Sequence, residues 1–200
     1  FVEGVSQEYW DALISNIKNP LLNKATNAQY PPGSIFKLMS ALAILEKDIK
    51  PRSHVNCKGV HKEGNQIFHC WKKHGHGKVN FHDAVKESCN VYFFKTISKN
   101  NIKIEDITNV AKNFQYGKSH KFETGISNSG NLPSKKWKKQ TFSQSWFGGD
   151  TMNSAIGQGF VLVTPLQMTL ATAMIANGGK IITPKIIKND NKAEDQGQYI

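Results

Sequence analysis

Ser34 and Lys37 stand three residues apart at the head of an apolar run, Ile35 to Leu45. On a helix that spacing sends a hydroxyl and an amine out from the same face. A serine hydroxyl is a poor nucleophile until a neighbouring base takes its proton. Lys37 is the only charge in the first three turns of the run, and desolvation there favours its neutral, basic form. The N–H groups at the helix start can receive an oxyanion growing beside Ser34. The spacing alone is weak, since a serine before an apolar run also serves as a plain N-cap and Ser15 and Lys18 repeat the pattern. A second triplet, Ser88-Cys89-Asn90, pairs a hydroxyl able to relay a proton with an amide able to hold a peptide bond. The same triplet type recurs at Ser98-Lys99-Asn100 and Ser129-Gly130-Asn131, so order and context single out Ser88.

The elements that must carry these groups follow from pattern. Pro31-Pro32-Gly33 sets a turn, and a helix apolar on every face follows from Ser34 to Leu45, to be buried in the middle of a domain. Before it, a helix from about Gln7 presents Tyr9, Trp10, Leu13, Ile14 and Ile17 on one side until Asn19-Pro20 stops it. Residues from Lys50 to Gly77 read as irregular, rich in Gly, His and Lys. Helices are predicted from Asn80 or Phe81 to Glu87, from Val91 to Ser98 and from Ile104 to Phe114. Residues 118–153 read as loop, punctuated by glycines. Thr164-Pro165 starts a last helix, which Asn177-Gly178-Gly179 closes. Short strand structure is predicted over Lys180 to Ile187, and a mobile polar segment over 188–200.

Composition bounds the function. The 200 residues, 38% hydrophobic and 10% aromatic, suffice for one domain with a sizeable core. The net charge of +11 includes one dense patch, Lys135-Lys136-Trp137-Lys138-Lys139, which reads as a solvated loop or as attraction to an anionic membrane or wall polymer. No nucleic-acid motif accompanies it, so nucleic acid is not an expected partner. The chain opens on Phe1 without a signal peptide or a membrane-spanning run, as expected of a soluble piece of a longer protein. Three cysteines, Cys57, Cys70 and Cys89, exclude a complete disulfide framework, and they share their stretch with five of the seven histidines. Spacing leaves open a metal site or a Cys57–Cys70 disulfide with Cys89 inert.

Taken together, the motifs resemble those of class B penicillin-binding proteins, in their elongation-specific branch. The likeness covers nearly the whole chain. It runs through Asn23-Lys24-Ala25-Thr26, Tyr30-Pro31-Pro32-Gly33-Ser34, Trp71-Lys72-Lys73-His74-Gly75-His76-Gly77 and Ser88-Cys89-Asn90. It continues with Phe147-Gly148-Gly149-Asp150-Thr151, Ile156-Gly157-Gln158-Gly159 and Thr164-Pro165-Leu166-Gln167-Met168. The resemblance implies an α/β (α+β) fold of the serine β-lactamase and transpeptidase kind, with a helical subdomain around a buried central helix packed on an antiparallel sheet. Residues 1–200 would be part of a transpeptidase domain.

The same resemblance implies a peptidoglycan D,D-transpeptidase that cross-links stem peptides ending in D-Ala-D-Ala. Ser34 would be the nucleophile, Lys37 the general base, Ser88 the proton relay and Asn90 a substrate-positioning residue. β-Lactams would acylate Ser34. A β-lactam-binding sensor and a serine β-lactamase are the alternatives. The family's Lys-Ser/Thr-Gly triplet is missing from these residues and is expected downstream of Ile200. The parent would be anchored on the periplasmic face of the bacterial inner membrane among wall-elongation partners. The branch's metal site aligns with Cys57, Cys70, His76 and Cys89, a closed set for structural zinc. His69 and His74 are nearby alternatives, while His54, His61, His82 and His120 are expected at the surface. No organic cofactor is implied.

Overall fold

Pro32 fixes its own φ and Gly33 takes φ +57°, and the chain then enters a single 3-10 turn, Gly33–Phe36, that runs straight into helix α2, Lys37–Leu45. A computed structural model describes residues 3–122, 125–187 and 200. Within it Phe36, Met39, Ala43 and Ile44 are essentially solvent-free, so α2 is the buried element its composition predicts. Helix α1, Gln7–Ile14, precedes it, and α3, Phe81–Lys86, follows behind a reciprocal Asn80–Asp83 cap. Helices α4, Asn90–Lys99, and α5, Ile104–Asn113, pack on α2, and Val91, Phe93, Phe94, Ile97, Ile107 and Ala111 belong to the buried core around it.

Helix α1 departs from expectation. Ser6 Oγ caps it by accepting from the Tyr9 N–H, but it ends at Ile14, short of Ile17 and of Asn19-Pro20, and it buries no residue, with Tyr9, Trp10 and Ile14 exposed.

The stretch from Lys50 to Gly77 is not irregular. Strand β1, Val55–Cys57, pairs antiparallel with β4, Gly77–Val79, and encloses a hairpin of β2, Val60–Glu63, and β3, Gln66–His69. The hairpin turns on Gly64-Asn65, with Gly64 at φ +57°, the left-handed backbone a two-residue loop requires. A third pair, β5 (Lys121–Phe122) with β6 (Gly125–Ile126), is shorter still. The ladders among the described residues are two-stranded, and 181–187 form no strand. The predicted mobile segment falls, apart from Ile200, outside the described residues. None of the described helices is long and apolar enough to cross a membrane.

Residues 118–153 also contain more structure than their glycines suggest: α6, Lys135–Phe142, and α7, Gly148–Ala155. The lysine patch is therefore a helix, and one of its members is not solvated. Lys138 Nζ lies 2.6 Å from Asp150 Oδ2, with side chains only 5% and 16% exposed, and over the rings of Phe147 and Phe160. Asp150 also accepts the Phe147 N–H, which clips α6 to the start of α7. Helix α8, Pro165–Ala176, begins as predicted with a Thr164 cap that Gln167 reciprocates.

Behind the serine turn the chain makes a close approach. The Gly33 N–H donates to the Gly157 carbonyl at 2.9 Å. A Cβ on Gly157 would stand 2.2 Å from the Gly33 carbonyl oxygen, and Gly157 itself sits at φ +71°. Gly157→Ala should therefore destabilise the protein by at least about 1–3 kcal/mol, the usual cost of a strained backbone. A thermal melt measures it, and an unchanged midpoint would show that the turn relaxes freely.

Candidate active site

The 3-10 turn and the first residue of α2 deliver an exposed hydroxyl and a buried amine together. Ser34 is open to solvent while Lys37 is only 4% exposed. Lys37 Nζ donates to Ser34 Oγ at 3.2 Å and to the carbonyl and hydroxyl of Ser88, each at 2.8 Å. It also contacts Asn90 Oδ1 at 2.5 Å. Ser88 Oγ donates to Ser34 Oγ at 2.9 Å, so the two hydroxyls and the amine form a closed triangle. Desolvation pulls the Lys37 pKa down to about 8, although Cys70 and Cys89 nearby oppose the shift.

The loop between α3 and α4 brings Ser88 there at a conformational cost. The Cys89 N–H donates to the Ala84 carbonyl, which folds the chain back at the end of α3, and Ser88 takes φ +51° to allow it. Cys89 then caps α4 in extended backbone, and Asn90 opens that helix. The Asn90 amide nitrogen reaches across to the His69 carbonyl at 3.1 Å, tying the triplet to β3.

Beneath the triplet, Cys57, Cys70, His76 and Cys89 converge, with their ligand atoms all within 4.8 Å of one another. Cys57 Sγ and Cys70 Sγ lie 3.6 and 3.5 Å from His76 Nδ1. Zinc bonds of about 2.3 Å to sulfur and 2.0–2.1 Å to nitrogen, set tetrahedrally, require a sulfur–nitrogen separation of about 3.6 Å. The donor set and its spacing therefore fit a closed four-ligand zinc site. All three thiols are free, so no Cys57–Cys70 disulfide forms. Burial pushes the Cys89 thiol far up. Burial also opposes ionisation of Cys70, but the N–H groups of Val91, Lys72 and Asn90 outweigh it and lower that thiol. Burial, aided by Lys72, favours the neutral His76 imidazole, the form that binds a metal. His76 Nε2 has no partner among the described residues; the edge of Trp71 packs against the ring instead.

The decoys stay apart. Ser15 Oγ donates to the Asp11 carbonyl on exposed α1, and Ser129 Oγ to the Gly130 carbonyl. His69 and His74 are exposed and outside the cluster. Of the four histidines expected at the surface, His54 and His82 are exposed, His61 is half-buried against Phe94, and His120 is buried.

Residues 6–199 match the family described as the penicillin binding protein transpeptidase domain. The chain belongs to this family. Among relatives of this transpeptidase domain, the peptidoglycan D,D-transpeptidase MrdA of Haemophilus influenzae is 34% identical over 191 residues, 94% of this chain and 29% of that protein. MrdA of Acinetobacter baumannii is 34% identical over 197 residues, 97% of this chain and 29% of its own length. Penicillin-binding protein 2 (PBP2) of Helicobacter pylori, solved in complex with MreC, superposes with a TM-score of 0.86 at 37% identity, covering 95% of this chain and 36% of that one. Pseudomonas aeruginosa PBP2, solved with WCK 5153, gives 0.83 at 32% identity, over 91% and 40%. The resemblance found in the sequence is thus to a transpeptidase domain of the PBP2 kind, and the α/β fold is that family's. The chain spans about a third of the length of these relatives.

Proposed function

We propose that the protein carrying this chain is a serine-type peptidoglycan D,D-transpeptidase of the wall-elongation class. The observation that carries the reading is the Ser34–Ser88–Lys37 triangle, an exposed hydroxyl held by a desolvated amine. Ser34 Oγ attacks the carbonyl of the penultimate D-Ala as neutral Lys37 takes its proton. Ser88, bonded to both, passes that proton to the departing D-Ala nitrogen. Asn90 holds the Lys37 ammonium in place and sets the distance from the serine loop to β3. A β-lactam meets the same groups as the dipeptide does and leaves Ser34 acylated.

Zinc is the metal that the Cys57, Cys70, His76 and Cys89 set fits, and its role here is structural. With four protein ligands no position is open for water or substrate. Cys89, between Ser88 and Asn90, lets the metal fix the triplet's backbone from beneath. The substrates are stem peptides of the wall, and no organic cofactor is required. The H. pylori relative's complex with MreC supports a wall-elongation partner for this protein too. Its relatives' role in peptidoglycan synthesis supports a membrane-anchored protein working on the periplasmic face of the inner membrane. Labelling with a fluorescent penicillin tests the reading: Ser34→Ala in the full-length protein should abolish it. Label that survives the substitution would remove Ser34 from the role.

A further inference from the structure

One cavity abuts the Ser34–Ser88–Lys37 triangle and a second lies beyond Asn90, and they differ in kind. One, of about 400 Å³, is lined by Ser34, Lys37 and Ser88 against apolar Ile35, Leu38 and Val85. The other, of about 620 Å³, reaches the catalytic candidates only through Asn90, with Cys70 also in its lining. Strand β3 and Trp71 form one wall of it, Asn153 and Gln158 the opposite wall.

The β3 wall is an open sheet edge. In the hairpin, Glu63 pairs with Gln66 across the two-residue turn, and Lys62 with Ile67. Antiparallel ladders alternate, so if the turn-closing pair exchanges hydrogen bonds the next pair does not. The Cys70 N–H donating to the Gly59 carbonyl fixes the same phase from the other end. Ile67 and His69 therefore turn their N–H and C=O groups away from β2. The His69 carbonyl is taken by the Asn90 amide at 3.1 Å, while both Ile67 groups and the His69 N–H have no partner among the described residues. An extended peptide added along this edge would be hydrogen-bonded by main chain and led to Asn90. Trp71 offers it a fixed aromatic face: the residue is 63% exposed, yet its indole N–H is held by the Glu87 carbonyl at 3.0 Å.

We propose that the open edge of β3, with Trp71 and Gln158, is the docking site for the acyl-acceptor peptide, the second stem strand of the cross-linking reaction. The inference rests on the transpeptidase reading above. A donor's scissile carbonyl must touch Ser34 Oγ, which assigns the donor to the cavity that Ser34 lines. The acceptor reaches the acyl-enzyme from the remaining side, past Asn90. Its neutral side-chain amine attacks the acyl carbon, and the bond from that carbon to Ser34 Oγ breaks as the new amide forms. The proton that the amine loses passes through Lys37 and Ser88 to Ser34 Oγ, which restores the free enzyme.

The test is the partition of the acyl-enzyme in the full-length protein, formed from an N-acyl-D-Ala thioester donor. A tetrapeptide with a free side-chain amine competes with water, and mass spectrometry counts amide and acid products. Ile67→Pro removes the outward N–H without touching the ladder, since proline is tolerated where the N–H points off the edge. It should lower the ratio of transfer to hydrolysis about tenfold, the effect of one lost peptide hydrogen bond in a bound complex. Gln158→Trp, which fills the cavity from its exposed wall, should act in the same direction and decides the matter where Ile67→Pro fails to fold. An unchanged ratio would overturn the proposal. So would an equal fall in penicillin acylation and transfer, which would make the edge a donor site. Failure of the wild-type protein to acylate Ser34 at all would instead overturn the transpeptidase reading.

Discussion

Lys37→Met should slow acylation of Ser34 by a fluorescent penicillin about 10²- to 10⁴-fold, the usual contribution of a general base, with the fold intact. Methionine suits the site because its unbranched, apolar side chain fills the burial that surrounds the Lys37 stem. The wild-type protein should carry a matching pH signature. Burial holds the Lys37 pKa down to about 8, and only the unprotonated amine can take the serine's proton. Acylation should therefore rise roughly tenfold per unit as pH increases towards 8 and level off above it. The Met variant's residual rate should lose that slope. A flat profile in the wild-type protein, or a Met variant as fast as wild type, would assign the base elsewhere.

If zinc fills the Cys57, Cys70, His76 and Cys89 set as proposed, its removal should produce the largest change in stability. The strands from β1 to β4 and the loop to α4 bury few large apolar side chains of their own, and their inward-facing residues include Cys57, Cys70 and Cys89. Without a cation, four ligand atoms crowded within 4.8 Å of one another are a defect rather than a tie. Structural zinc contributes about 10–16 kcal/mol in small zinc-finger peptides. If even a third of that operates here, chelation should lower Tm by about 10 °C or more. Penicillin acylation should fall with it, because Cys89 separates Ser88 from Asn90. Elemental analysis of protein purified without added metal should find about one zinc per chain. Metal-free protein with an unchanged melt, or a Cys57–Cys70 disulfide in the mass spectrum, would reverse the assignment.

The candidate site was legible in the sequence through its motifs taken together and the resemblance they carry, since either spacing alone is weak. Ser34 and Lys37 need only one turn to meet, and Ser88 and Asn90 flank one residue. What periodicity could not convey is the contact of Lys37 with Ser88, which joins residues 51 positions apart. The nested ladders from Val55 to Val79 escaped because strands of three or four residues show no alternation. A signal was present, since Gly64-Asn65 between two short runs with a β-branched residue is a hairpin turn. Ser134 ahead of the lysine patch was likewise a cap that announced α6. The burial of Lys138 had no local sign, because its partner Asp150 lies on another helix. On α1 the error ran the other way. An apolar stripe implies a covering surface, and the described residues provide none.

The spacing of the Cys/His quartet bears on how cheaply its contacts close. Cys57, Cys70, His76 and Cys89 follow one another at intervals of thirteen, six and thirteen positions. The contact between Lys37 and Ser88 closes a span of 51. Loop closure becomes costlier with the logarithm of length, so the catalytic contact costs about 1 kcal/mol more than either thirteen-residue closure. Each link of the quartet is thus cheaper to close than the catalytic contact, and all four residues lie in one contiguous stretch.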